Sequence, residues 1–98
     1  MTITKAANGA DLTLNVEGRI DANTAPQLEQ ELNASLDGMT NLTLDLKDLA
    51  YISSAGLRVL LMAQKRMMKQ GVMRVTNVCE AVLDVFEMTG FSDILTIE

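Results

Sequence analysis

Strand-like and helix-like apolar patterns take turns along this chain, and no other feature limits its fold as strongly. The clearest strand pattern lies at residues 42–46, where three leucines alternate with Thr43 and Asp45. A helical pattern follows, in which Leu57 and Leu60 begin an apolar stripe at helical spacing. Strands that alternate with helices pack as a sheet layer against helices. We therefore predict an α/β fold, a mixed sheet of four to five strands with helices packed on it.

The predicted order of elements is β-β-α-β-α-β-α-β, with short connections. The third helix should begin near Val78 and end at Gly90. The second helix should bury one stripe of side chains, namely Leu57, Leu60, Leu61 and Met68, widened by Val59, Met62, Ala63 and Met67. The predicted strands are residues 2–5, 11–17, 42–46, 72–76 and, as a short strand or an extended tail, 94–97.

Turn and capping residues separate these elements. Asn8-Gly9 is a strong hairpin signal between the first two strands. The second strand should then end in a turn at residues 18–21, Gly-Arg-Ile-Asp. Thr24 and Gln27 have the spacing of a capping box, which predicts that the Thr24 hydroxyl caps the first helix.

The composition limits the partners and the compartment of the protein. With 98 residues and 48% hydrophobic content, residues 1–98 suffice for one domain with a single core. A net charge of −5 argues against nucleic acid or an anionic membrane surface as a partner. No apolar run is long enough to span a bilayer, so we expect no direct membrane insertion. The single cysteine, Cys79, rules out an intrachain disulfide and favours a reducing compartment, so we expect a cytoplasmic protein.

The sequence lacks the residues on which most active sites depend, so we predict that the protein is not an enzyme. It has no histidine, which removes the usual base of a Ser-His-Asp or Cys-His system. Residues 54–56 end like a nucleophile elbow, but Ile52 replaces the first glycine of that motif. No phosphate-binding glycine loop occurs, and one cysteine without histidine offers no metal cluster. We therefore expect no cofactor and no metal.

The segment from Tyr51 to Leu57 places two hydroxyls where a strand stops and a helix begins. The first N–H groups of a helix lack partners within it, and the helix dipole is positive there. A phosphate group would therefore be stabilised at such a point. Two interpretations of Ser53 and Ser54 stay open. They are a helix cap worth about 1 kcal/mol, or a serine whose phosphorylation acts as a switch.

Three blocks of the sequence resemble one known family. Residues 52–57, Ile-Ser-Ser-Ala-Gly-Leu, preceded by the strand at 42–46, are similar to the signature of bacterial STAS-domain anti-sigma-factor antagonists. The turn at 18–21 resembles the family's second block, and residues 82–91 resemble its C-terminal helix and cap. The blocks occur in the family's order across essentially the whole chain, which implies one STAS domain over residues 1–98.

The resemblance implies a function in partner switching. In this family, a serine at the helix start is phosphorylated by a serine kinase that is also the anti-sigma factor. The unmodified antagonist binds this kinase and frees the sigma factor, whereas the phosphorylated form lets go and a PP2C-type phosphatase resets it. The acceptor aligns with Ser54, and the acidic residue that lies near it in the family aligns with Asp21.

The chain departs from the family pattern on both sides of Ser54. Ser53 stands where members often have Asp, and Ala55 stands where they often have Ser or Thr. The first change removes a negative charge beside the acceptor, and it makes Ser53 a candidate second acceptor.

A basic stripe on the second helix has two interpretations as well. Arg58, Met62, Lys65 and Lys69 recur at helical spacing, opposite much of the apolar face. The stripe is either a solvated face or a docking face for an acidic partner, with Met62 as an adaptable apolar contact. The expected partner-binding residues are Asp21, Ser53, Ala55, Gly56, Arg58, Met62 and Lys65.

A function of another class stays open beside the switch. The same domain would then be a constitutive subunit or scaffold of a transport or sensory complex, such as a lipid-transport ATPase. Such a subunit would need no phosphorylation.

Overall fold

Strand β2 (Asp11–Ile20) organises the sheet, because three other strands pair with it. The computed structural model describes residues 1–98. Its other elements, in chain order, are β1 (Thr2–Asn8) before β2, then α1 (Ala25–Ser35), β3 (Asn41–Asp45), β4 (Leu49–Ile52), α2 (Ser54–Met68), β5 (Val72–Thr76), α3 (Glu80–Thr89) and a 3₁₀ turn at Phe91–Asp93.

The sheet is mixed and has five strands, as predicted. Its order is β1-β2-β3-β5, with β4 also paired to β2. β1 runs antiparallel to β2, from which it is separated by the predicted Asn8-Gly9 hairpin, and the other pairs are parallel. β3 pairs with β2 as far as Asn15, and β4 pairs with it from Gly18, where the register shifts. This irregularity lets β2 pair with β3 along its first part and with β4 along its last part.

One face of the sheet carries the hydrophobic core. Alternate side chains of β2 and β3, such as Leu12, Leu14 and Leu44, are buried, whereas Thr13 and Thr43 lie on the opposite face. Buried side chains of the helices belong to the same cluster of 23 residues. The helices therefore cover one face of the sheet and leave a polar face uncovered. None of the helices is long and apolar enough to cross a membrane.

Three strand predictions were wrong. β2 continues as a strand through residues 18–20, where the sequence predicts a turn, because β4 pairs with this part of it. β4 itself is missing from the predicted order, because its four residues lack the alternation of exposed and buried side chains that marks a strand. Residues 94–97 form no strand and are not extended throughout, because Ile94 closes the 3₁₀ turn with a helical backbone and only Ile97 makes a single bridge, to Val75.

The buried face of α2 agrees with the predicted stripe except at its end. Leu57 and Leu60 are buried as expected, and so is Met67 of the wider stripe, but Met68 is 72% exposed. The helix turns Gly56 and Ala63 toward the core, since residues with little or no side chain let another element approach closely.

Gly56 lies at the closest contact between α2 and the sheet. A Cβ atom at this position would lie 2.6 Å from Cγ2 of Ile20 and 2.7 Å from Cγ1 of Ile52. These two isoleucines are the last residues of β2 and β4. The absence of a side chain at Gly56 therefore lets the first turn of α2 rest on both strand ends.

Gly56→Ala should destabilise the protein by about 1–3 kcal/mol, the usual cost of overpacking a close-packed core. Helix propensity alone predicts the opposite sign, because alanine is favoured over glycine by about 1 kcal/mol inside a helix. Urea unfolding of the variant beside the wild type measures the difference. A variant that is as stable as the wild type would contradict the close contact.

Candidate functional site

The two serines at the start of α2 have different roles. Ser53 is the N-cap residue, with an extended backbone, and its Oγ accepts a hydrogen bond of 3.4 Å from the N–H of Gly56. Ser54 is the first helical residue, and its side chain is exposed and makes no hydrogen bond. Ser53 is therefore the residue that caps α2, whereas the hydroxyl of Ser54 makes no hydrogen bond that stabilises the fold.

The ends of two neighbouring strands meet at this helix start. The N–H of Ser53, just after β4, donates a 2.8 Å hydrogen bond to the carbonyl of Ile20, the last residue of β2. Asp21 directly follows Ile20, so the turn after β2 adjoins the serines. Carboxyl ends of parallel strands are where open α/β sheets present their functional groups.

The carboxylate of Asp21 organises the turn between β2 and α1. Its Oδ1 accepts hydrogen bonds from the N–H of Asn23 at 2.9 Å and from the N–H of Thr24 at 3.0 Å. The Oγ1 of Thr24 in turn accepts from the N–H of Asp21 at 2.8 Å and donates to the carbonyl of Arg19 at 2.9 Å. The predicted capping box is wrong: Thr24 is the N-cap of α1, but its hydroxyl is used in this turn and does not cap the helix.

These hydrogen bonds favour the ionised form of Asp21. The backbone N–H of Thr24, and after it that of Asn23, hold the pKa of the Asp21 carboxyl below its ordinary value of 3.8. The Thr24 hydroxyl and the positive charge of Arg19 act in the same direction. Asp21, which is ionised at neutral pH at its ordinary pKa, therefore keeps its negative charge further into acid.

A cation–π contact lies next to this turn. The guanidinium of Arg19 lies 4.3 Å from the ring centroid of Tyr51, its partner in the β2–β4 register. The sequence did not indicate this pair, because β4 was not predicted and the register that joins the two residues follows from it.

Two grooves flank the exposed side of α2. The first has a volume of about 440 Å³, lies between α1 and α2, and is lined by Ala22, Ala25, Pro26, Glu29, Ala55, Arg58, Val59 and Met62. The second, of about 590 Å³, is lined by Arg58, Leu61, Met62, Lys65, Arg66 and Lys69. Arg58 and Met62 line both, so the two grooves adjoin.

The structure brings most of the predicted site residues together. Ser53, Ser54 and Ala55 form the start of α2 with Asp21 beside them, and Arg58 lies one turn further on. Met62 is half-buried in the groove and Lys65 is exposed further along the helix. Gly56 is buried, so it shapes the site by packing and offers no contact surface. No group of three or more metal-ligating side chains occurs.

A sheet with helices on one face, and a serine-bearing helix start at the strand ends, defines the class of this protein. The family model described as "Mlab, STAS domain" matches residues 3–96. The chain belongs to the STAS domain family.

Named relatives within the family are anti-sigma-factor antagonists. The chain is 34% identical over 91 residues to the anti-sigma-B factor antagonist of Bacillus subtilis (strain 168), an alignment that covers 92% of this chain and 84% of that protein. It is 40% identical over 84 residues to BtrV of Bordetella bronchiseptica, provisionally named an anti-sigma factor antagonist, covering 84% of this chain and 72% of BtrV.

Solved structures agree with this assignment of the fold. An anti-sigma factor antagonist from Mycobacterium paratuberculosis superimposes with a TM-score of 0.88 at 26% identity, over 98% of this chain and 83% of that one. SpoIIAA of Bacillus in its phosphorylated form superimposes with a TM-score of 0.77, over 99% of this chain and 91% of that one. At 13% identity, this second likeness concerns the fold alone.

Ser53→Ala should cost about 1 kcal/mol of stability, the usual price of losing an N-cap hydroxyl. Ser54→Ala should change stability by less than about 0.5 kcal/mol, because an exposed side chain without partners is replaced by a good helix former. Urea unfolding of both variants gives the comparison. Equal losses at the two positions would contradict the division of roles between the serines.

Asp21→Asn should destabilise the protein at neutral pH, and its deficit should shrink in acid. Because the pKa of Asp21 is lower in the folded protein than its ordinary value of 3.8, the carboxylate contributes stability above that pH. This contribution is lost as the pH falls through the folded pKa. Urea midpoints of variant and wild type, measured from neutral pH into acid, follow the difference. A deficit that does not change with pH would contradict the assigned role of the carboxylate.

Proposed function

We propose that this protein is an anti-sigma-factor antagonist whose binding to an anti-sigma factor is switched off by phosphorylation of Ser54. The observation that carries the proposal is the free, exposed hydroxyl at the first residue of α2, next to Ala55, which lines the groove between α1 and α2. The names of the relatives support the partner class. Ser53 is engaged as the cap, so we assign Ser54 as the acceptor and keep Ser53 as a second candidate.

A phosphate on Ser54 would act at the surface without disturbing the fold. It adds about −1.5 to −2 charges at neutral pH. The N-terminus of α2 tolerates such a charge, because unpaired N–H groups and the positive end of the helix dipole lie there. Release of the partner then follows from repulsion and desolvation across the interface, with the antagonist still folded.

The interface that we propose surrounds Ser54 and continues along the exposed side of α2. Its apolar contact is Met62, half-buried at the junction of the two grooves. Its cations would complement an acidic surface of the partner, which steers association and fixes orientation. The remaining residues that we assign to it are Asp21, Ser53, Ala55, Arg58 and Lys65, with Gly56 beneath them.

The rest of the cycle follows the family resemblance. The anti-sigma factor is itself the serine kinase that modifies Ser54, and a PP2C-type phosphatase removes the phosphate. Because this kinase draws on ATP, we place the switch in the cytoplasm. The protein itself acts by binding and needs no catalytic group of its own.

Pull-downs from the native cell extract with Ser54→Ala and Ser54→Asp as paired baits test the proposal. We expect a protein with a serine-kinase sequence to bind the first bait and to be reduced about tenfold or more on the second, a difference of about 1.4 kcal/mol. The purified kinase with ATP should then phosphorylate the wild-type chain at Ser54, as mass spectrometry of its peptides would identify.

Gln30→Glu is the matched control bait. It adds the same single negative charge at an exposed position of α1 that lines neither groove, and it should retain the kinase. Loss of the kinase from both acidic baits, Ser54→Asp and Gln30→Glu, would point to a general charge effect and against a switch at Ser54. Equal retention of one membrane or scaffold protein by the Ser54→Ala and Ser54→Asp baits would instead identify a constitutive subunit.

A further inference from the structure

A single free cation lines the groove that adjoins Ser54. Arg58 is the only basic residue among the groove-lining side chains, and Glu29 is the only acidic one. Arg58 makes no ion pair, whereas other basic residues of the chain, such as Arg66 and Arg74, are paired with carboxylates. Its side chain is exposed and has no structural partner that holds it in one place.

Helix geometry places this guanidinium within reach of a phosphate on Ser54. The two residues stand four positions apart on α2, and side chains at that spacing share a face with Cβ atoms about 5–6 Å apart. Helical side chains lean toward the N-terminus of their helix, so Arg58 extends over the turn that contains Ser54. The planar fork of arginine matches phosphate oxygens with two parallel hydrogen bonds.

We propose that Arg58 pairs with the phosphate of Ser54 and is thereby withdrawn from the groove between α1 and α2. Pairing draws the guanidinium to the helix start and leaves the groove without its only cation. A carboxylate of the partner that contacts Arg58 in the unmodified protein loses that contact. The phosphate thus acts twice, by repelling the acidic partner and by removing a cation from its docking groove.

The other charged groups near the serines favour Arg58 as the partner of the phosphate. Arg19 is held over the ring of Tyr51, and its charge already acts on the carboxylate of Asp21. Glu29 lines the other side of the groove and could also attract Arg58. It carries only one negative charge, whereas the phosphate carries up to about two, so the phosphate attracts Arg58 more strongly. This inference rests on the proposed function for the presence of the phosphate, while the pairing depends only on this chain.

A ³¹P NMR titration of the chain with phosphoserine installed at position 54 during translation tests the pairing. A guanidinium beside the phosphate favours its dianion and lowers its second pKa. Arg58→Gln should therefore raise that pKa by about 0.3–0.7 unit relative to the otherwise unchanged phosphoprotein. Lys65→Gln, further along the same helix, is the matched control and should leave it unchanged.

Two results would overturn the inference. One is a phosphate pKa that does not change in Arg58→Gln, and the other is an equal rise in Arg58→Gln and Lys65→Gln, which indicates only the general field of the basic helix face. Because the titration needs neither kinase nor binding partner, it stands apart from the pull-downs. If the Ser54→Ala and Ser54→Asp baits retained the kinase equally, the proposed function would be wrong, but the pairing of Arg58 with the phosphate would still stand.

Discussion

The contact between Gly56 and the ends of two parallel strands fixes the geometry of the whole site. Ile20 and Ile52 are buried beneath the first turn of α2, and the N–H of Ser53 donates to the carbonyl of Ile20. A side chain at position 56 would lift this turn away from the sheet. The exposure of Ser54, and its position beside the turn that follows β2, both depend on this one absent side chain.

The polar groups around this contact divide into those that build the site and those that are left free. Ser53 caps α2, and the Asp21 carboxylate and the Thr24 hydroxyl satisfy the backbone of the adjoining turn. Because each of these groups stabilises local structure, a change in it would disturb the fold. Ser54 and Arg58 have no such partners, so a modification can act on them at little cost to stability.

Regular apolar patterns made the architecture predictable. The errors fall where a segment is too short to show a pattern or where a side chain has more than one possible arrangement. Leucine alternation and helical stripes identified the fold class and the helices, since burial on one face dictates them, and the turn residues Asn8-Gly9 identified the hairpin. β4 was missed because four residues carry too little periodicity, and without β4 the Arg19–Tyr51 pair has no register. Met67 and Met68 were both predicted on the buried face, and only Met68 is exposed, because adjacent residues of a helix point about 100° apart. The Thr24 hydroxyl could either cap α1 or hydrogen-bond within the preceding turn, and the sequence does not indicate which of the two is favoured.

The location of Ser54 also limits where a partner can be sensitive to its phosphate. One phosphate makes the net charge of −5 more negative by about 2, but charges in water are screened beyond a Debye length of about 8 Å at physiological ionic strength. The helix rises about 1.5 Å per residue, so the far end of α2, near Lys69, lies about 22 Å from Ser54. A partner bound only at that end would scarcely sense the modification. A phosphorylation switch therefore requires an interface that includes the first turns of α2, where Ala55, Arg58 and Met62 border the groove.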